Sequence, residues 1–280
     1  MNNEAEKIKE HYEKSKIYST VERKMLATIN IRSFNNFIKA ILIKKYVNRN
    51  DSVLDLGCGK GGDLNKFRTS NIYEYVGIDT SENCIKEAKS RYEKKNNKFK
   101  GTFIASDCFN EPIDLKKQFD IISIQFSFHY AFSSQESLNT TLKNISDHLK
   151  IGGYVIATIP NSKALKRRYE KYGNNFGNEF YTVEFVKDLK SNTDKLGVEY
   201  YFTLKDSLDK CLEYLIYDDF LEKECKKYDL KLIEFKDFIS FFNENFKNNS
   251  DLYNKMVQTI LNDKELDVPR LYSILVLKKE

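Results

Sequence analysis

Val53-Leu54-Asp55-Leu56-Gly57-Cys58-Gly59-Lys60-Gly61-Gly62 is the stretch on which the fold turns. Ser52 to Leu56 is a short apolar run that stops at glycines, which is the pattern of a buried strand. Glycine has no Cβ, so the backbone can turn tightly there and come close to a ligand. The chain holds only 11 glycines, so a cluster of them carries information. A helix is expected to follow over Asp63 to Thr69, making a strand, a glycine turn and a helix in sequence.

The same rhythm extends outward from this loop. Asn30 to Val47 places Ile31, Phe34, Ile38, Ile41, Leu42 and Lys45 at helical spacing, which predicts an amphipathic helix. Tyr75 to Asp79 reads as a second strand, and Ser81 or Glu82 to Lys95 as a helix with a basic outer face. Thr102 to Ala105 and Phe119 to Gln125 are the third and fourth strands. A helix over Ser134 to Leu149 is punctuated by Gly152-Gly153, and Tyr154 to Ile159 is the fifth strand. This alternation implies an α/β fold with a mostly parallel, doubly wound sheet of Rossmann-like type. After Pro160 the rhythm breaks. Residues 161–213 carry a basic stretch (Lys163, Lys166, Arg167, Arg168, Lys171), a Gly/Asn segment, and strand-like pieces at Phe180–Phe185 and Glu199–Leu204. They read as an insertion that shapes a substrate site. The rhythm returns near Tyr217–Phe235, and Leu271–Leu277 is a last strand, expected antiparallel. The domain plan is a flexible or helical arm over 1–30 and one domain over 31–280.

The bulk properties bound the function. At 280 residues and 41% hydrophobic, the chain can bury a core of its own. A net charge of +5 with pI near 8.7 is mildly basic and falls short of a cationic nucleic-acid coat. Tryptophan is absent, so aromatic stacking must use the 18 Tyr and 20 Phe. The cysteines are Cys58, Cys84, Cys108, Cys211 and Cys225, an odd set with no two-residue gap between any pair. They read as reduced thiols of an intracellular protein, and no metal site is expected. No apolar run approaches the ~18 residues of a membrane span, and the charged N-terminal stretch has no secretory signature.

By itself the glycine loop is ambiguous, because Gly57, Gly59 and Gly62 also satisfy the dinucleotide fingerprint. Three acids argue against a nicotinamide cofactor. Asp55 ends strand one just before the glycines, where a carboxylate suits an amine or sulfonium and would repel a pyrophosphate. Asp79 ends strand two, where it can accept both ribose hydroxyls. Asp107 follows strand three, where it can accept an adenine amino group. All three lie at the carboxyl ends of adjacent strands, the edge at which such sheets bind ligands. The cofactor expected is therefore S-adenosylmethionine, leaving S-adenosylhomocysteine as product.

With these residues in view, the chain resembles the messenger RNA cap guanine-N7 methyltransferases in their small stand-alone form. The resemblance runs from about Asn35 to Tyr272. Asn35-Asn36-Phe37-Ile38-Lys39, Leu54 to Asp63 and Gln125-Phe126-Ser127-Phe128-His129-Tyr130-Ala131-Phe132 carry it. The Gln-Phe-x-x-His-Tyr pattern is far more restrictive than the glycine loop. The resemblance implies that Lys39 neutralises the cofactor carboxylate, Gly57 permits close approach, and Asp63 holds the amino end. Asp55, Asp79 and Asp107 complete the site, with Gln125 and Tyr130 as its floor. It implies a guanine pocket of Phe126, His129, Tyr130, Phe202, Glu213 and Tyr272, with Pro160 packed beside it. Base stacking on such rings is worth roughly 1–3 kcal/mol per base. Lys60, Lys66 and Arg91 look like phosphate contacts facing one edge, and Asn35 and Asn36 like nucleotide contacts.

Guanine N7 carries a free lone pair, so positioning by Phe126, His129, Tyr130 and Glu213 is expected to suffice without a proton-transfer residue. The resemblance also implies capped RNA as partner, nuclear work, and contact with the capping guanylyltransferase or the polymerase tail. A monomer without membrane attachment is expected. Taken without the family, Phe126, Phe128 and Phe132 read as core. Lys60, Lys66 and Arg91 then read as solvated surface, His129 as structural, and Glu213 as an ordinary helix residue. The rival readings are a methyltransferase of a small molecule or tRNA, a nicotinamide oxidoreductase, and an RNA-binding protein without catalysis.

Overall fold

The computed structural model describes Glu22 and residues 25–280. Most of the arm expected over residues 1–30 lies outside them, and its last two residues already belong to a helix. A turn at 25–28 leads into helix α1 (Ile29–Tyr46), whose buried face is Ile31, Phe34, Phe37, Ile38, Ile41, Leu42 and Ile43. Lys45, placed on that stripe by spacing, sits at its edge and bridges Glu234 at 2.7 Å.

The Rossmann-like core follows: β1 (Ser52–Leu56), α2 (Leu64–Thr69), β2 (Glu74–Asp79), α3 (Glu82–Glu93), β3 (Lys100–Ala105), β4 (Phe119–Gln125), α4 (Gln135–His148) and β5 (Leu149–Pro160). β1 buries four of its five residues because both faces of the sheet are covered. The remaining strands of this sheet are β10 (Leu230–Asp237) and β11 (Tyr272–Lys279), and the order is β10-β11-β5-β4-β1-β2-β3. The five core strands run parallel, and β11 runs antiparallel to both its neighbours. β1 pairs with β2 on one side and β4 on the other, so the winding reverses there. The carboxyl ends of β1 and β4 splay their connections apart and leave a crevice.

The segment after Pro160 differs in detail from expectation. Its basic stretch is a helix, α5 (Ser162–Tyr172), started by Asn161, whose side chain accepts the Ala164 N–H at 3.0 Å. A second, antiparallel sheet follows, β6 (Asn175–Gly177), β7 (Tyr181–Phe185), β8 (Glu199–Leu204) and β9 (Leu208–Tyr214). Glu213 therefore lies on a strand. Read alone it suggested a helix, because the charged residues Asp209 and Lys210 blur the alternation of β9. Helix α6 (Asp218–Lys226) then returns the chain to β10. Between β10 and β11 come α7 (Phe238–Phe246), α8 (Ser250–Met256) and α9 (Asp263–Leu266), in a segment where no element was expected. Phe128 and Phe132 are fully buried core, as their spacing suggested. All five cysteines are buried and unbridged. No helix among the described residues is long and apolar enough to cross a membrane.

Candidate active site

The crevice at the carboxyl ends of β1 to β4 is a cleft of about 270 Å³. Lys39, Asp55, Gly57, Asp63, Asp79, Asp107, Gln125 and Tyr130 all line it. The glycine turn sets its floor. Gly57 has φ +72°, and a Cβ there would stand 2.4 Å from Ser127 Oγ, so the turn and the end of β4 meet without room for a side chain.

Each acid is held differently. Asp55 is 3% exposed and accepts from the Tyr75 hydroxyl at 2.8 Å. Burial, with the neighbouring Asp63 carboxylate, pushes its pKa up to about 7. Asp63 is buried as well, but its two oxygens meet Lys39 Nζ at 2.8 Å and Lys66 Nζ at 2.6 Å. Burial alone would raise Asp63; the two ammoniums overcome it and hold the carboxyl well below the usual range. Asp79 accepts the Gly59 N–H at 2.8 Å and the Ser81 N–H at 3.0 Å, which fixes its plane at the end of β2. Asp107 accepts from the backbone of Phe109 and Asn110 and from the Asn110 side chain at 2.9 Å. The Gln125 amide is spent on Ser123 Oγ, Ile156 O and the Thr158 hydroxyl, so it forms wall.

A cluster of largely buried rings adjoins this cleft. Phe126 borders both, and its ring meets Tyr272 edge-on at 4.9 Å between centroids. Its backbone is left-handed, φ +59°, a strained state for a bulky residue. The Thr158 carbonyl and hydroxyl hold it there by accepting the Phe126 N–H, each at 3.0 Å. Phe202 lies 6.3 Å from Tyr272, and Pro160 is the register partner of Tyr272. Tyr130 stacks tilted on His129 at 4.2 Å and brings its hydroxyl within 3.3 Å of Cys211 Sγ.

Two polar groups sit among these rings. Glu213 is 5% exposed, takes a 2.6 Å hydrogen bond from Tyr200, and is pushed by burial up to about 7. His129 is 2% exposed, and burial drops its pKa to about 3. Its Nε2 stands 3.9 Å from Glu213 Oε1, an ion-pair distance, but a neutral imidazole makes no ion pair. Neither ring nitrogen has a hydrogen-bond partner among the described residues. A buried polar group left unmet costs roughly 1–3 kcal/mol, so an orphaned imidazole facing a carboxyl marks a place for a ligand.

The expected phosphate contacts are not one group. Lys66 is buried on Asp63 and on Asn36 Oδ1 at 2.9 Å, at the cofactor end of the cleft, so it does not present an open cation. Arg91 pairs with Glu87 at 2.9 Å in the last turn of α3, roughly 13 Å of helix from the sheet's ligand edge. Lys60 stands on the glycine turn itself. Asn35 is half-buried on α1, its side-chain oxygen without a partner among the described residues. Sequence reasoning did not single out Tyr75, Ser127, Phe109 or Tyr214. The last three line the cleft, and Tyr75 supports Asp55 from behind.

The cleft suits S-adenosylmethionine. Asp55 gives a buried acceptor opposite a cation, Asp79 a fixed carboxylate for a diol, and Lys39 with Asp63 a charge pair for a zwitterion. A cation docked against Asp55 favours its ionised form. Cofactor affinity is therefore expected to fall about tenfold from pH 8 to pH 6, as Asp55 takes up its proton, with Asp63 ionised throughout. Titration calorimetry across that range checks this, and in Asp55→Asn the dependence is lost.

A family model described as the mRNA (guanine-N(7))-methyltransferase domain matches residues 1–279. The "mRNA cap guanine-N(7) methyltransferase" of Schizosaccharomyces pombe is 35% identical over 263 residues, covering 89% of this chain and 72% of that protein. The Arabidopsis thaliana protein "mRNA cap guanine-N(7) methyltransferase 1" is 33% identical, covering 88% and 70%. For the Saccharomyces cerevisiae protein of the same description the identity is 35%, over 84% of this chain and 58% of that one. Among solved structures, the CcbJ methyltransferase of Streptomyces caelestis superposes with TM-score 0.60 at 14% identity, over 88% of this chain and 96% of that one. An S-adenosylmethionine-dependent methyltransferase of Clostridium acetobutylicum gives 0.56 at 18%, over 90% and 92%. At those identities the superpositions speak for the fold.

Proposed function

The chain belongs to the mRNA (guanine-N7)-methyltransferase family, and from that premise we propose that it transfers the methyl of S-adenosylmethionine to N7 of the guanine that caps messenger RNA. The observation that carries this reading is the buried His129, whose ring nitrogens have no partner among the described residues, facing Glu213 at 3.9 Å among Phe126, Tyr130, Phe202 and Tyr272 beside the cofactor cleft. Guanine offers N1–H and an exocyclic amine to a carboxylate, and O6 to an N–H donor. Adenine offers neither the N1–H nor the carbonyl. Glu213 thus selects guanine, and His129, neutral at physiological pH, has a donor for O6 and stays uncharged beside a base that becomes cationic.

The cofactor supplies a methyl already activated by a sulfonium. N7 has no proton to lose, so the residues bind and orient and need move no proton. The rings of Phe126, Tyr130 and Tyr272 hold the base plane against the cleft, and holding reactants in line supplies up to ~7–11 kcal/mol of a barrier. Methylation places positive charge on the guanine ring, where the Glu213 carboxylate stabilises it. The inserted sheet β6–β9, which contributes Phe202 and Glu213, is on this reading the substrate-binding segment. The family resemblance extends the proposal to a nuclear site of action, with the guanylyltransferase or the polymerase tail as partner.

The test is methyl transfer from labelled cofactor to RNA ending in unmethylated GpppG or GpppA, with triphosphate-ended RNA and N7-methylated cap as controls. Label confined to the unmethylated caps supports the proposal. No label in the cap, with S-adenosylhomocysteine still bound, directs attention to small molecules or tRNA.

A further inference from the structure

A group of cations stands apart from the site above, at the same edge of the molecule. Lys166 Nζ lies 3.9 Å from the ring centroid of Tyr217, and Lys195 Nζ lies 4.6 Å from the same centroid. Cations are drawn to the ring face, yet two on one ring repel each other. Burial and that repulsion hold the Lys166 ammonium below its ordinary pKa. Lys163 joins them, bridged to Asp218 at 2.7 Å, and Lys195 reaches the exposed Asp219 only at 3.8 Å. Three lysines thus meet around one ring, with the carboxylates of Asp218, Asp219 and Glu170 near Lys166 and that of Asp194 near Tyr217.

The place matters as much as the charge. Helix α5 begins two residues after Pro160, and Lys166 is four residues into it, about 6 Å of helix. Tyr217 is four residues past Glu213, at most about 14 Å along extended chain. Leu215 and Tyr217 pack in the same apolar cluster as Phe202 and Tyr272, whereas Tyr214 and Ile216 face the other one. Ser162, at the head of α5, brings its Oγ within 3.5 Å of Asp218 Oδ1, so the elements that follow Pro160 and Glu213 meet beside the lysine-capped ring.

We propose that Lys166 and Lys195 on Tyr217 form a subsite for the phosphodiester backbone of the RNA that follows the cap. The proposal rests on capped RNA being the substrate. An oxyanion between the two ammoniums relieves their repulsion, and its chain is already tethered at the adjoining pocket by the guanine. Continuity with that pocket favours the substrate's own backbone over an acidic or phosphorylated peptide, which would match the charge equally.

The experiment compares the full chain with Lys166→Gln/Lys195→Gln on two acceptors, the GpppG dinucleotide and a capped RNA of roughly 20 nucleotides. The expected result is a KM for capped RNA raised about five- to tenfold, a dinucleotide KM within about twofold, and a flatter salt dependence of the RNA KM by about one unit of slope. Lys195→Gln alone, on an exposed loop, gives a smaller change in the same direction with the fold undisturbed. Equal change on both acceptors, or none on the RNA, overturns the subsite. Loss of phosphorylated-peptide binding with an unchanged RNA KM assigns the lysines to a protein partner and overturns it too. A wild-type chain that methylates neither acceptor points instead at the functional reading.

Discussion

Glu213→Gln is expected to lower kcat/KM for the capped acceptor by about 100- to 1,000-fold while making the free protein more stable at pH 8. The first effect follows from removing one partner of a buried charged hydrogen-bonding pair, which costs about 2–5 kcal/mol. Glutamine presents an amide donor where guanine presents donors, and it withdraws the charge that stabilises the methylated ring. The second effect is a matter of linkage. The folded-state pKa of Glu213 is raised from 4.5 to about 7 by burial, so the folded state binds this proton more tightly than the unfolded one. That contribution is fully present below about pH 4.5 and is lost as pH rises through 7. Above it, an ionised Glu213 burdens the free fold by on the order of 3 kcal/mol. Glutamine keeps the bond from Tyr200, found here at 2.6 Å, and carries no charge. Melting temperatures at pH 8 and pH 5, measured beside initial rates on GpppG-ended RNA, separate the two effects. Full activity in the variant sinks the assignment of the base pocket, and an unchanged melting temperature at pH 8 sinks the account of its burial.

Gly57→Ala is expected to weaken cofactor binding by at least ~50-fold. Two costs combine. At φ +72° an alanine bears the left-handed penalty of roughly 1–2 kcal/mol. Its Cβ would also lie 2.4 Å from Ser127 Oγ, and that hydroxyl is anchored on the Leu56 carbonyl at 3.1 Å. The clash therefore moves the end of β4 and, with it, Gln125 and Phe126 on the cleft wall. Gly152→Ala is the control. It too has positive φ, +80°, but a Cβ there meets nothing within 4 Å and lies far from the cleft in the β5 hairpin-like entry. It should lose about 1 kcal/mol of stability and leave S-adenosylhomocysteine affinity unchanged. Equal loss of affinity in both variants would falsify the local clash as cause.

The cofactor half of the molecule was legible because its signals are local. Apolar runs that stop at glycines or acids define β1, β2 and β3, and the acids at their ends fall on one edge by topology alone. Tyr75 was hidden because a buried tyrosine on a strand looks like core until its hydroxyl is seen on Asp55. Lys66 read as surface without the family and as a phosphate contact with it, because a lysine on a short helix gives no sign of burial; its only sequence signal was Asp63 three residues before it. Strand β9 was obscured by its charges, and its pairing with β8 is tertiary information. The base pocket draws on residues 126 to 272, so no window of sequence contains it.

That dispersion has a consequence for the order in which the molecule comes into being. β11 threads between β10 and β5, and it alone brings Tyr272 against Pro160 and Phe126. The glycine turn and the acids that end β1 to β3 need only strands made much earlier. A growing chain can therefore shape its cofactor cleft while the slot beside β5 stands open, and it gains a seat for the base only when the last strand closes that slot. On the proposed site, substrate recognition matures at the end of synthesis, so a chain cut before Tyr272 would hold cofactor residues without the proposed guanine pocket.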